Sequence, residues 1–157
     1  MSNFRVSSVS GSEKLSVLDS AGVTHTIEIS SLVLGAMALA EKPVDTLIDD
    51  LTVDYQDMGK ILVQTVDAKT LVLPAMAAGY AGMEFTYKNG GATDGAIILT
   101  ISPNANDKIM GPDWAGVDNK DAINTKATAK IGDFMTLRGD GTNGWWIVAK
   151  RGTWVAE

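Results

Sequence analysis

The chain has 157 residues, room for one domain and a short arm. Its 45% apolar content supports a real core, while 20% charged residues and 16 glycines favour short strands and turns over long helices. A net charge of −6 argues against a nucleic-acid partner, which requires clustered Lys and Arg, and the lack of cysteine removes disulfides and thiolate metal sites.

The opening MSNFRVSSVSGSEK lacks the apolar run that a secretion signal carries. KLSVLDSAGVTHTIEI then alternates on both sides of Ser20-Ala21-Gly22, which predicts a small β-hairpin. The character changes in SSLVLGAMALAEK, residues 30–42. Ser30 or Ser31 can cap a short helix there, and Pro43 lies just beyond its end. This segment is apolar nearly all round, so it must be buried, either in the chain's own core or against a partner. Its apolar run, residues 32–40, is too short to span a bilayer, and no membrane partner is expected.

From Asp45 the rhythm becomes regular. DYQDMG predicts one helical turn with Asp54 as its N-cap and Gly59 as its stop. KILVQTV (60–66) and TLVLP (70–74) predict strands, the second closed by a proline that cannot donate to a ladder. In MEFTYK (83–88), Met83, Phe85 and Tyr87 should face one way and Glu84, Thr86 and Lys88 the other. The loop NGGATDG leads to AIILTIS (96–102), a strongly β-prone strand. Residues 103–120, rich in Asn, Asp, Gly and Pro, are expected to be irregular. TKATA, FMTLR, WWIVAK and TWVA are then expected as further short strands. Such a series predicts an all-β domain, a compact β-barrel or sandwich, without tandem repeats or a low-complexity linker.

Three of the four tryptophans fall in the last thirteen residues. Neighbours in a strand point to opposite faces, so Trp145 and Trp146 cannot share one core. One side carries Ile147 and the other Val148. The strand is either buried on both faces within one chain or packs a subunit interface on one of them.

The candidates for chemistry are weak. Arg138-Gly139-Asp140 spells an adhesive tripeptide, but it sits in LRGDGTNGW, whose glycines suit a hairpin connection. His25, the only histidine, stands between threonines on an alternating strand. The aspartates at 107, 113, 118, 121 and 140 lack the spacing of a calcium loop and read as turn caps. Asp49 and Asp50 are adjacent and would diverge in a strand. GAMALAEK lacks the ending of a phosphate loop. No enzyme activity, cofactor or metal is expected.

The order of several pieces adds a resemblance. DYQDMGK, TLVLPAM, AGYAGMEFTYKN, NDKIMGPD, GDFMTLRGDGTNGWW and RGTW run through residues 54–157. In that order they resemble a module of tailed-phage virion proteins, the decoration or cement proteins of icosahedral heads, and the β-rich segments of head and tail fibres. The match covers about two-thirds of the chain, and the last 26 residues are its most specific part. The resemblance implies a β-tulip-like trimerisation domain, residues 46–157, and an N-terminal arm, residues 1–45, that attaches to the capsid. It implies a homotrimer on the outer surface of the virion, with the major capsid protein as partner and no nucleic acid or membrane bound. The suspected subunit or capsid interface comprises Leu32, Val33, Leu34, Met37, Leu39, Trp145, Trp146 and Trp154. The alternative is a head- or tail-fibre component that binds a host receptor or glycan. A small carbohydrate-binding or hydrolytic β-domain is a third reading. The short chain, without a coiled-coil stem, favours decoration.

Overall fold

The computed structural model describes residues 14–18, 24–28 and 42–157. The chain divides into two compact units, Met1–Lys42 and Pro43–Glu157. In the first, β1 (Lys14–Leu18) pairs antiparallel with β2 (Thr24–Glu28), Lys14 opposite Glu28 and Leu18 opposite Thr24, as the alternation predicts. The expected helix over residues 30–42 lies, but for Lys42, outside the described residues. So do Leu32, Val33, Leu34, Met37 and Leu39.

The second unit is all-β. Its strands are β3 (Val44–Leu47), β4 (Leu51–Thr52), β5 (Ile61–Gln64), β6 (Lys69–Val72), β7 (Glu84–Asn89), β8 (Leu99–Ser102), β9 (Lys108–Gly111), β10 (Trp114–Asp118), β11 (Ala122–Asn124), β12 (Phe134–Gly139), β13 (Gly144–Arg151) and β14 (Val155–Ala156). They form a seven-stranded sheet in the order β10-β9-β13-β12-β7-β5-β3 and a five-stranded sheet in the order β14-β11-β8-β6-β4. From β3 to β8 the chain alternates between the two sheets. Parallel neighbours such as β5 and β7 are therefore joined through a strand of the opposite sheet. Parallel pairs usually need a helical crossover; here a strand performs that task. Because the unit begins at Pro43, a cut at residue 46 would sever β3, which pairs in parallel with β5 from Val44 to Leu47.

Alternation along the strands builds a core between the sheets. Leu62, Phe85, Tyr87, Ile109, Met135, Leu137 and Trp145 come from the larger sheet, and Leu71, Leu99, Ile101 and Ala122 from the smaller. Met83, Phe85 and Tyr87 are buried, as the sequence predicts, with Glu84, Thr86 and Lys88 on the other side. Tyr87 brings a polar tip into this core. Its hydroxyl donates to Gln64 Oε1 at 3.3 Å, and Gln64 Nε2 donates to the carbonyls of Leu47 and Val66, tying β3 to β5. Burial raises the phenol's pKa, and the negative charge of Asp50 adds to the rise.

The turn at 54–59 forms as a single 3₁₀ turn, Tyr55–Asp57. Asp54 accepts from the Gln56 amide at 2.7 Å, and Asp57 accepts from the Asp54 amide at 3.0 Å, a reciprocal cap. Gly59 follows at φ +78°, in the left-handed region that favours glycine. Lys60 then joins Asp45 at 2.8 Å and Asp57 at 3.1 Å. The Asp45 hydrogen bond raises the ammonium's pKa; burial opposes it, and Asp57 adds to the rise.

Two expectations are corrected. Residues 103–120 are not wholly irregular, since they hold β9 and β10. Pairing distant in sequence stabilises them: β9 lies parallel to β13 and antiparallel to β10, so their turn-rich composition does not decide. TKATA is a turn and not a strand. The amides of Thr128 and Ala129 both reach the Thr125 carbonyl, at 3.0 and 2.8 Å, which closes the chain on itself. The strand of that region, β11, ends one residue earlier.

Candidate functional site

The outward face of the seven-stranded sheet carries exposed side chains set side by side. Register fixes what stands beside what. Arg138 lies opposite Glu84 on one side and Trp146 on the other, and Trp146 lies opposite Met110 of β9. Two residues along, Thr136 lies between Thr86 and Ala149; two further, Phe134 lies between Lys88 and Arg151. Side chains at directly opposed positions share a face, so these rows form one continuous surface.

Trp146 presents 48% of its surface to solvent, and Val148 presents 46%. Val148 is the extra residue of a bulge, because Leu137 pairs with Ile147 while Thr136 pairs with Ala149. Beside them Arg138 donates through Nε and Nη2 to one oxygen of Glu84, at 3.0 and 2.6 Å. In this exposed setting the pair contributes at most about 1 kcal/mol, so it orients the guanidinium more than it stabilises the fold.

The three terminal tryptophans separate sharply. Trp145 is fully buried, its ring edge-on to Phe85 at 5.6 Å. Its indole N–H finds no acceptor among the described residues, so its contribution is apolar and aromatic. Trp154 is only 7% exposed, and its Nε1 donates to the Arg151 carbonyl at 2.9 Å. Both rings are used up inside the sandwich and leave the suspected interface set. Trp146 stays in it.

Arg138 and Gly139 of the Arg-Gly-Asp tripeptide end β12, and only Asp140 belongs to the turn. Asp140 starts the β12–β13 connection, and its carboxylate accepts from the amides of Thr142, Asn143 and Gly144 at 2.7, 2.8 and 3.0 Å. Desolvation pushes its pKa up, but these amides together outweigh it and hold the carboxyl below its usual value. A receptor would need that carboxylate turned outward; here it is turned onto its own backbone. Two of the other aspartates also have partners within the sandwich. Asp107 is buried and accepts from the Met76 amide at 2.7 Å, and Asp118 pairs with Lys108 at 3.2 Å. Among the described residues no three His, Cys, Asp or Glu side chains group closely enough to hold a metal ion. His25 lies in β2.

Sequence reading missed the row Lys88–Phe134–Arg151. The alternation of MEFTYK placed Lys88 outward, but only register brings it beside residues 46 and 63 positions further along the chain. A scan against family models finds no match, and a search of curated proteins finds no significant relative.

Proposed function

We propose that the chain is a structural virion protein that decorates and stabilises an icosahedral phage capsid as a homotrimer. The observation that carries this reading is the apolar patch at Trp146 and Val148, on a sheet face that no other part of the sandwich covers. Exposed apolar patches rimmed by polar groups mark association surfaces, and aromatics are enriched at their centres. A second copy of the chain is the natural cover, with Arg138 and Glu84 at the rim. The order of sequence pieces over residues 54–157 supports the same reading, because it resembles that of decoration proteins.

In this account the sandwich makes the trimer and the N-terminal unit makes the contact with coat subunits. A protein that binds only the assembled lattice stabilises it by mass action, and bridging several subunits adds avidity. The chemistry is association without bond making. Sedimentation equilibrium of the purified chain tests the first step. A species of about 50 kDa, three times the 16.6 kDa chain, supports it. A monomer at micromolar concentration removes it.

A further inference from the structure

Beyond the Trp146 patch, about 13 Å along the strands at 3.3 Å per residue, the same sheet face sinks into a groove. Its volume is about 350 Å³, and Ile61, Thr86, Lys88, Phe134, Thr136 and Arg151 line it. Small-molecule sites occupy roughly 300–1,000 Å³. Register explains the arrangement. Phe134 lies opposite both Lys88 and Arg151, so its ring stands between two cations. In the next row Ile61 lies beside Thr86, and Thr86 Oγ1 meets Thr136 Oγ1 at 2.9 Å. One hydroxyl donates to the other, which leaves one hydroxyl proton for a guest.

The charges are the informative feature. Lys60, Lys69, Lys108, Lys126 and Arg138 each have a carboxylate partner. Lys88 and Arg151, like Lys120, Lys130 and Lys150, have none among the described residues, and these two are set apart by lining the same groove. Two unpaired cations in one groove favour an anion, and the fork of a guanidinium suits a carboxylate. The rest of the lining narrows the choice. A bare phosphate or sulfate would leave Phe134 and Ile61 unused. A peptide adding a strand would need free backbone groups, but β7 and β12 are paired on both sides, and β13, which pairs with β9 only from Gly144 to Trp146, offers its free edge beyond Arg151, away from Phe134 and the threonines. A ring that carries a carboxylate and hydroxyls uses every wall.

We propose that this groove binds a carboxylate-bearing saccharide. The acid lies between Lys88 and Arg151, the ring covers Phe134, and sugar hydroxyls meet the Thr86–Thr136 pair. The site requires one copy of the chain, so it stands or falls independently of the trimer and of capsid decoration.

Calorimetric titration of the full-length chain tests it, with four probes. Two are acidic, a tetrasaccharide of alternating glucuronic acid and N-acetylglucosamine, and sialyllactose. Two are neutral, chitotetraose and lactose. At least one acidic sugar is expected to bind about tenfold or more tightly than its neutral counterpart, a difference that charge-assisted hydrogen bonds readily supply. K88Q and R151Q should each weaken that binding about tenfold with unchanged melting temperature, since both side chains lie at the surface. F134A should weaken acidic and neutral sugars alike. The proposal is overturned if neither acidic sugar binds at millimolar concentration, if acidic and neutral sugars bind equally, or if K88Q and R151Q leave binding intact. Equal binding of a short polyglutamate also overturns it, because the groove would then recognise charge alone. Native mass measured on the same samples keeps this result separate from the trimer: sugar binding by a monomer supports the groove and contradicts only the assembly.

Discussion

Asp140→Ala removes the acceptor for three backbone amides at the tip of the β12–β13 hairpin. Hydrogen bonds to a charged group contribute about 1.5–3 kcal/mol each where water is excluded. Asp140 is only half-buried, so water replaces part of what is lost. Capping substitutions at comparable sites cost about 0.5–2 kcal/mol. We expect a loss near the top of that range, about 2 kcal/mol, because one carboxylate serves three donors. For a domain of this size the melting temperature should fall by roughly 5–10 °C. The pH dependence has a definite sign. The folded carboxyl titrates below its usual value, so its contribution is fully present above the unfolded pKa of about 3.9 and fades as pH falls through the depressed folded value. Thermal melts of the wild type and the variant should therefore differ at neutral pH and converge in strong acid. A gap under about 0.5 kcal/mol at neutral pH, within the range of an ordinary surface change, would refute the reasoning. So would a gap that persists undiminished in strong acid.

The two adjacent tryptophans should behave oppositely: Trp145→Ala should destabilise by about 3–5 kcal/mol in denaturant unfolding, whereas Trp146→Ala should change stability by under about 0.5 kcal/mol yet dissociate the trimer in sedimentation. Gly144 sits at φ +150°, and a Cβ there would lie 2.1 Å from the Lys108 carbonyl oxygen. Gly144→Ala should accordingly disrupt the parallel β9–β13 pairing and lower stability by about 2 kcal/mol or more, read from the shift in urea midpoint. A chain starting at Pro43 should fold and still form trimers but fail to bind decoration-free capsids, whereas one starting at Ile48 should lose the Leu47 carbonyl that holds Gln64 and Thr65 and melt lower. Circular dichroism and a capsid pull-down distinguish these outcomes.

Much of the sandwich was readable from period-two alternation and turn chemistry. Phe85 and Tyr87 face inward because their strand is covered on one side, and Asp54 and Gly59 bracket a turn whose cap is local in sequence. Asp140 was likewise readable as a turn residue. What escaped was everything that depends on distant pairing. Nothing near Ile109 announces a strand; β13, which begins 35 residues after that position, creates it. Thr125 and Thr128 have β propensity, yet their backbone closes locally because no neighbouring strand competes for those amides. The tryptophans show both sides of this. Alternation alone established that Trp145 and Trp146 diverge. Which of them enters the core followed only from the register against β12 and β9. The groove was invisible for the same reason, since its two cations and its aromatic ring come from three strands.

Counting copies of the chain in purified virions that carry it, by quantitative mass spectrometry against the coat protein, tests the decoration reading most directly. The account predicts on the order of hundreds of copies per particle, because a clamp must bridge coat subunits across the whole shell. A handful per particle would contradict it and identify a fibre component instead.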